Sequence, residues 1–222
     1  MPIASAEEVH LREEMIEFSR MLVQFNLLEF KGGNLSARVD DDHILVTRRG
    51  MKKGIPSPDD ILRTGIDGDD EGAMAGSSAL EIHRAIYRKT DAMAVVHAHP
   101  SKTVSLSFFL DEIVPQDENG VLYLGRSVKV VAAPTLFGWN HVADEMADGL
   151  IDGKVAVEKW HGTFAKGKDL GDAFHLTRAI EFSAAHLIRV EQLKAHFGTP
   201  TMPPSEVAEY VGGINTRGLR KI

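Results

Sequence analysis

The chain has 222 residues, of which 43% are hydrophobic and 26% are charged, enough to build one sizeable core. Its 25 Lys and Arg residues are outnumbered by 32 Asp and Glu residues, giving a net charge of -7. Because nucleic-acid binding needs clustered positive charge, this balance argues against a nucleic-acid partner. There is no cysteine, which excludes disulfides and thiolate chemistry and leaves His, Asp and Glu to hold any metal.

The amino terminus has neither the basic region nor the apolar run of a signal peptide. No apolar segment of the sequence is long enough to span a membrane. We therefore expect a cytoplasmic protein without a membrane partner.

Hydrophobic periodicity predicts alternating helices and strands, beginning with a helix over residues 7–28 that ends before two glycines. Residues 43–47 are a short β-prone run. The acidic segment 67–72 predicts a solvated turn, since it lacks the ligand spacing and the closing Glu of a calcium loop. A second helix is predicted over residues 77–88, with Ser78 and Glu81 forming a capping box.

The second half of the chain continues the alternation. Strands are predicted at 92–96, 128–132 and 155–157, a helix at 140–150 capped by an Asn, and a long helix from Asp169 to about residue 196. Prolines then break regular structure. We expect one domain over residues 1–198, followed by a carboxy-terminal tail over residues 199–222.

The most informative motif is His97-Ala98-His99, which follows an apolar strand. Residues two apart on a strand point to the same face, so both imidazoles are within reach of one divalent ion. A third candidate ligand, His161, lies in a Trp-His-Gly segment. The pair alone is a moderate signal, because a histidine at a strand end is often just a hydrogen-bonded polar group.

The order of motifs resembles the class II aldolase and adducin-domain family over residues 13–193. The motifs are Gly33-Asn34-Leu35-Ser36, Val46-Thr47-Arg48-Arg49-Gly50, Ser77-Ser78 with His83, Val95-Val96-His97-Ala98-His99, and His161-Gly162. Each motif alone would be weak, whereas this order and spacing are specific.

The resemblance implies a three-layer α/β/α sandwich around a mixed, mainly antiparallel sheet, usually in a homotetramer with active sites between neighbouring subunits. It also implies that His97, His99 and His161 are the three ligands of a catalytic zinc, or of another divalent ion such as manganese or cobalt. Three imidazoles with an open coordination position suit a catalytic metal better than a structural one.

The resemblance also implies a site for a substrate phosphate or carboxylate. Glycine turns expose backbone N–H groups, and serines at a helix start add hydroxyl donors where the helix dipole favours an anion. Two matched positions are more basic than the family pattern and would strengthen anion binding. The candidate substrate-binding residues are Lys31, Gly33, Asn34, Arg49, Gly50, Ser77 and Ser78. Turn and capping roles for the glycines and serines, and ordinary exposed charge for the basic residues, are the alternatives.

The departures from the family concern proton transfer. The aldolases carry a glutamate base directly after the paired serines, whereas this chain has Ala79. Glu81 lies roughly 200° further around the same helix and cannot replace it. Pro134 stands near the position of a tyrosine acid of fuculose-type aldolases, and Tyr210, in the tail, is the remaining candidate for a catalytic acid.

Three functions follow from these observations. The first is a metal-dependent lyase that performs aldol cleavage or condensation of a small phosphorylated keto-sugar. The second keeps the metal and anion site but performs decarboxylation or epimerisation of a related sugar acid or sugar phosphate. The third is a non-catalytic assembly module like the adducin head domain, against which the three histidines argue.

Overall fold

The computed structural model describes residues 5–133 and 142–200, in which one eight-stranded sheet is covered by helices on both faces. The strands are β1 (Asn34–Arg38), β2 (His43–Thr47), β3 (Ile61–Gly65), β4 (Ala94–Ala98), β5 (Glu112–Ile113), β6 (Val128–Val131), β7 (Val155–Glu158) and β8 (Gly162–Gly167). The helices are α1 (Ala6–Gln24), α2 (Glu71–Ala75), α3 (Leu80–Lys89), α4 (Ser101–Ser107), α5 (Glu118–Leu124), α6 (Ala143–Gly149) and α7 (Leu170–Phe197), and Pro58–Asp60 form a 3₁₀ turn.

The spatial order of the sheet is β3-β2-β1-β4-β8-β7-β6-β5. All neighbouring strands are antiparallel except β6 and β7, which are parallel. The expectation of a mixed, mainly antiparallel sheet is confirmed.

Alternating side chains build the layers on either side of the sheet. Val95 packs in the apolar cluster of α3 and α6, whereas its neighbour Val96 packs in the cluster that includes α1 and the first turn of α7. The same alternation separates Phe164 from Ala165, which packs against α7. Because successive strand residues point to opposite faces, each central strand contributes to both cores. The predicted three-layer sandwich is confirmed.

Strand β4 lies at the centre of the sheet, between β1 and β8. His97 is the register partner of Asn34 on one side and of Phe164 on the other. Hydrogen bonds from both neighbours therefore fix the position of His97 along the sheet.

The first helix is shorter than predicted. It ends at Gln24, and Asn26 adopts a left-handed conformation with φ of 55°. Asn tolerates this conformation, which terminates the helix before the glycines are reached. Leu27 and Leu28 instead fill the core from a loop.

The predicted capping box at Ser78 and Glu81 is wrong. Helix α3 begins at Leu80, and its cap residue, Ala79, makes no side-chain cap bond. The Ser77 hydroxyl accepts the Ala79 N–H at 3.2 Å, a local turn that competes with an earlier helix start. The Glu81 carboxylate pairs with Arg84 at 2.7 Å.

The other predicted elements lie close to their observed positions. The turn predicted at 67–72 is observed as far as Asp70. Asp70 caps the short helix α2, which begins at the next residue. Helix α6 is capped at Val142, and the predicted cap Asn140 lies outside the described residues. Asp169 caps α7 as predicted. The boundary near residue 198 stays a prediction, since most of the tail is not described. No helix of the described residues is long and apolar enough to span a membrane.

Candidate active site

The structure brings His97, His99 and His161 together, with one ring nitrogen of each within 4.8 Å of the others. The Nε2 atoms of His97 and His99 are 3.3 Å apart. His97 lies at the end of β4 and His99 just beyond it, while His161 comes from the turn that joins β7 to β8. Two segments far apart in sequence thus converge at one end of the central strands β4 and β8.

The other ring nitrogen of each histidine faces an oxygen acceptor. His97 Nδ1 donates to the Thr163 carbonyl at 3.0 Å, and His161 Nδ1 donates to the Glu158 carboxylate at 2.6 Å. His99 Nδ1 lies 3.4 Å from the carboxylate of Glu29. These acceptors hold the proton on Nδ1 and leave the Nε2 lone pair of each ring for the shared point.

The electrostatics of the cluster suit a cation. Burial lowers the pKa of His97 well below its usual value, and the nearby His99 and His161 lower it further. Burial and His161 also lower the pKa of His99. The rings of His97 and His99 are thus neutral near pH 7, and lone pairs facing each other across 3.3 Å repel unless a cation lies between them. The residues present fit a divalent ion.

Packing fixes the rings of this cluster. His97 is 2% exposed and stacks on Phe164, with ring centroids 4.2 Å apart. A Cβ on Gly162 would stand 2.8 Å from His99 and 3.1 Å from His97, so only glycine leaves room for both rings. Trp160, in the turn before it, holds a left-handed φ of 66°, which is rare for a bulky residue.

A buried chain of hydrogen bonds orients Asn34 beside the cluster. The Oδ1 of Asn34 lies 2.5 Å from Nε2 of His83, and Nδ1 of His83 lies 2.6 Å from the Ser36 hydroxyl. Burial lowers the pKa of His83 to about 3, so the ring is neutral and its one proton goes to the amide oxygen. The Ser36 hydroxyl then donates to His83, and its oxygen accepts from Tyr87 at 2.9 Å. This order leaves the NH₂ group of Asn34 for another partner. In the sequence, His83 stands out only as part of the Ser77-Ser78 motif.

One cavity of about 180 Å³ joins the three histidines to the predicted anion site. Every predicted substrate-binding residue lines it: Lys31, Gly33, Asn34, Arg49, Gly50, Ser77 and Ser78. Gly33 has φ of 58°, and a Cβ there would stand 2.5 Å from the His97 carbonyl, so the turn requires glycine. The cavity can therefore take an anion next to a metal-bound group.

Two further cationic residues, Arg48 and Lys53, also line the cavity, and neither is among the predicted binding residues. Arg48 is exposed and donates to the Asp59 carbonyl, while Lys53 is only 1% exposed. Lys53 stands between Lys52 and Gly54, and the hydrophobic pattern of the sequence does not indicate that it is buried. The loop folds over residue 30 through the bond from Lys53 N to the Phe30 carbonyl, at 2.9 Å.

Ala79 also lines the cavity, and it is 3% exposed. Among the residues that the structure describes, no Asp or Glu lines this space. Glu81 is held by Arg84 and does not replace the missing carboxylate. The two other candidates for proton transfer, Tyr210 and the segment with Pro134, lie outside the described residues.

The chain is similar to several known proteins. Residues 13–188 match the family model of the class II aldolase and adducin N-terminal domain. The 5-deoxy-D-ribulose 1-phosphate aldolase of Bacillus thuringiensis serovar kurstaki is 26% identical over 201 residues, 89% of this chain and 92% of the relative. The 3-oxo-tetronate 4-phosphate decarboxylase of Haemophilus influenzae is 28% identical over 195 residues, 86% of this chain and 92% of the relative.

Among solved structures, the L-fuculose-1-phosphate aldolase of Thermus thermophilus is similar, with a TM-score of 0.79 and 29% identity over 87% of this chain and all (100%) of that chain. The chain belongs to the class II aldolase and adducin N-terminal domain family. The expectation of an enzyme of lyase type in this metal-dependent family is confirmed.

The contact between His161 and Glu158 leads to a first prediction. Glu158→Gln keeps the shape but removes the buried negative charge that makes the imidazole a stronger ligand, so the affinity for a divalent metal ion should fall about 10–100-fold. Competition with a chromophoric chelator measures this. Glu29→Gln is the matched control, because its carboxylate is 80% exposed and screened by water, and its effect should stay under about fivefold. Equal losses in both variants would contradict the role of Glu158.

The anion site leads to a second prediction. Replacing both Ser77 and Ser78 by Ala should weaken binding of a phosphate ester by about 1–3 kcal/mol, the range for hydrogen bonds to a charged group. Isothermal titration with a non-reacting phosphate ester measures the effect. Ser105→Ala is a suitable control, since this exposed hydroxyl bonds only its own helix. Unchanged affinity in the double variant would place the anion elsewhere.

Proposed function

We propose that this protein is a metal-dependent lyase that cleaves a carbon–carbon bond of a small phosphorylated keto-sugar by aldol chemistry. The observation that supports it most is that one cavity contains both the three converging imidazoles and the predicted anion-binding residues. In this proposal a substrate carbonyl group would bind the metal while the phosphate, a few atoms away, would lie against the serines.

The metal in this proposal is zinc, with manganese or cobalt as alternatives, held by His97, His99 and His161. Nitrogen ligands and an open position are typical of catalytic zinc. When bound, the ion would polarise the substrate carbonyl and stabilise the negative charge that develops on its oxygen.

The chain's own residues bind and orient the substrate. The hydroxyls of Ser77 and Ser78 and the N–H groups around Gly50 hold the phosphate at the start of α3, where the helix dipole favours an anion. Lys31 and Arg49, both exposed, add positive charge at the rim. The Asn34 amide, fixed by His83, donates its free N–H group to a substrate oxygen beside the metal.

Aldol cleavage also needs a base that takes the proton of the substrate hydroxyl whose carbon leaves as an aldehyde. No carboxylate lines the described part of the cavity to act as this base. In this proposal Tyr210 of the tail is the catalytic acid, which protonates the carbanion left on the ketone fragment. The second candidate function is decarboxylation of a phosphorylated keto acid. Ala79 favours it, because the electron pair of the breaking bond moves to the carbonyl while CO₂ leaves, and no base is required.

A homotetramer with active sites between subunits, located in the cytoplasm, completes the proposal. Exposed aromatic side chains next to the His161 turn support an interface there: Phe108 is 58% exposed, Phe109 85% and Trp160 42%.

The deciding experiment is metal analysis of the purified protein combined with a substrate screen. We expect ketose 1-phosphates to release dihydroxyacetone phosphate in a reaction that a chelator stops and zinc restores. Release of CO₂ from phosphorylated keto acids, without aldol cleavage, would favour the second candidate. Neither reaction, in a protein that binds zinc, would contradict both.

A further inference from the structure

Helix α4 connects the two segments that carry the candidate metal ligands. It begins two residues after His99 and ends at Ser107. The buried hydroxyl of Ser107 donates to the Val104 carbonyl at 2.7 Å and accepts the backbone N–H of Trp160 at 2.9 Å. Trp160 directly precedes His161. One helix of seven residues, about 10 Å long, therefore joins the His99 segment to the His161 turn.

The start of α4 is held in place by the neighbouring helix α7. The carboxylate of Glu181 accepts the N–H of Lys102 at 3.1 Å and the N–H of Thr103 at 3.0 Å. These N–H groups have no partner within their own helix, and the helix dipole favours a negative charge there. The N–H of His99 donates to the Leu27 carbonyl at 2.9 Å. Because its start is fixed, α4 can hold the turn through its last residue.

The turn that carries His161 contains a strained residue. Trp160 has a left-handed φ of 66°, a conformation that a bulky side chain rarely adopts and that persists only where surrounding contacts impose it. The N–H of Lys159 donates to a carbonyl of β6, and the N–H of His161 donates within the turn itself. The bond to Ser107 is the one that the strained residue makes through its own N–H.

We propose that Ser107 is a positioning residue for metal binding. Its hydroxyl holds Trp160 in the left-handed conformation, which directs the His161 ring to the point that it shares with His97 and His99. The inference rests on the proposed three-histidine site and extends it to a residue outside the cavity lining. Without the hydroxyl, the turn can relax to ordinary backbone conformations. Metal affinity then falls with the fraction of molecules in which the ring remains in place.

The test is competition for Co²⁺ with a chromophoric chelator, combined with the visible spectrum of bound Co²⁺, which reports its coordination geometry. Ser107→Ala should weaken Co²⁺ binding about tenfold or more, as expected for a residue that orients a ligand, and should shift the visible bands. Ser19→Ala is the matched control. Ser19 is also fully buried and donates to a carbonyl of its own helix at 2.7 Å, but it lies in α1, outside the turn. Its replacement should change neither affinity nor spectrum.

Two substitutions of Trp160 test the conformation directly. Asn adopts a positive φ readily, whereas the β-branched Val does so rarely. Trp160 is 42% exposed, so both substitutions remove a similar, partly solvated contact. Trp160→Asn should keep the Co²⁺ affinity, and Trp160→Val should lower it. Adding Trp160→Asn to Ser107→Ala should restore most of the lost affinity, which a merely structural role of Ser107 does not predict.

Four outcomes would overturn the proposal. Ser107→Ala could bind Co²⁺ with unchanged affinity and spectrum, or Ser19→Ala could lose as much affinity. The double variant could remain as weak as Ser107→Ala. Trp160→Asn and Trp160→Val could bind Co²⁺ equally well, a comparison that does not depend on Ser107→Ala folding. Stoichiometric Co²⁺ binding by the parent protein would confine each failure to the role of Ser107, whereas a parent protein that binds neither Co²⁺ nor Zn²⁺ would contradict the proposed function.

Discussion

Replacing His97 by Ala should abolish stoichiometric zinc binding and lower lyase activity by about 10³-fold or more. His97 is the most buried of the three histidines, and its Nε2 lies 3.3 Å from that of His99. The remaining two imidazoles cannot supply a three-coordinate site, and a lost Lewis acid costs several kcal/mol of transition-state stabilisation, with about 1.4 kcal/mol for each tenfold in rate. Metal content by atomic emission and initial rates measure the two effects.

The same substitution also removes a ring that stacks on Phe164, so its effect on folding needs a separate readout. His161→Ala is the partner variant, since His161 lies in a turn and is only partly buried. It should lose zinc with little change in the melting temperature of the metal-free protein. His10→Ala, on the exposed face of α1, should keep both metal and activity. Full zinc occupancy in both ligand variants would show that the three-histidine assignment is wrong.

The second large effect is expected from Ala79→Glu, and its direction depends on the reaction. If the protein is an aldolase that lacks its base, a carboxylate at the start of α3 should raise aldol cleavage about 10²- to 10⁴-fold, the usual effect of a positioned acid or base. If the substrate is a phosphorylated acid that loses CO₂, the new carboxylate should occupy an open metal position and repel the substrate. Turnover would then fall.

Measuring both reactions in the parent protein and in Ala79→Glu separates these cases. Ala79→Gln is the matched control, because it has the same size and no charge. Loss of activity in both variants would indicate steric blockage, since Ala79 is buried in the core cluster of α3. Fast aldol cleavage with Ala79, unchanged by the glutamate, would contradict the account of a missing base.

Much of the fold and of the histidine cluster could be predicted because both depend on local patterns. The alternation of Val95 and Val96 between two cores is visible in the sequence, and so is the spacing of His97 and His99 on one strand. The link to His161, by contrast, came from the order of motifs. No local pattern shows that the β7–β8 turn reaches the end of β4.

What could not be predicted depends on contacts between distant residues. The burial of Lys53 results from a loop that folds over Phe30, and a lysine between Lys52 and Gly54 looks exposed in sequence. The capping box at Ser78 failed because Arg84 competes for Glu81 and Ser77 makes a tighter local turn. The role of Glu158 at His161 Nδ1 was likewise hidden, since an acidic residue at a strand end is usually interpreted as solvated.

The central place of β4 suggests why one scaffold can serve different reactions. The register with β1 and β8 fixes His97 and, through it, the depth of the metal site. Shifting this strand by one residue would turn its side chains to the opposite face and disrupt both cores, so the site tolerates little drift. Position 79 lies instead at the start of helix α3, outside the strands whose register fixes the metal site. New chemistry can therefore arise by exchanging the proton-handling groups around a metal centre that the sheet keeps constant.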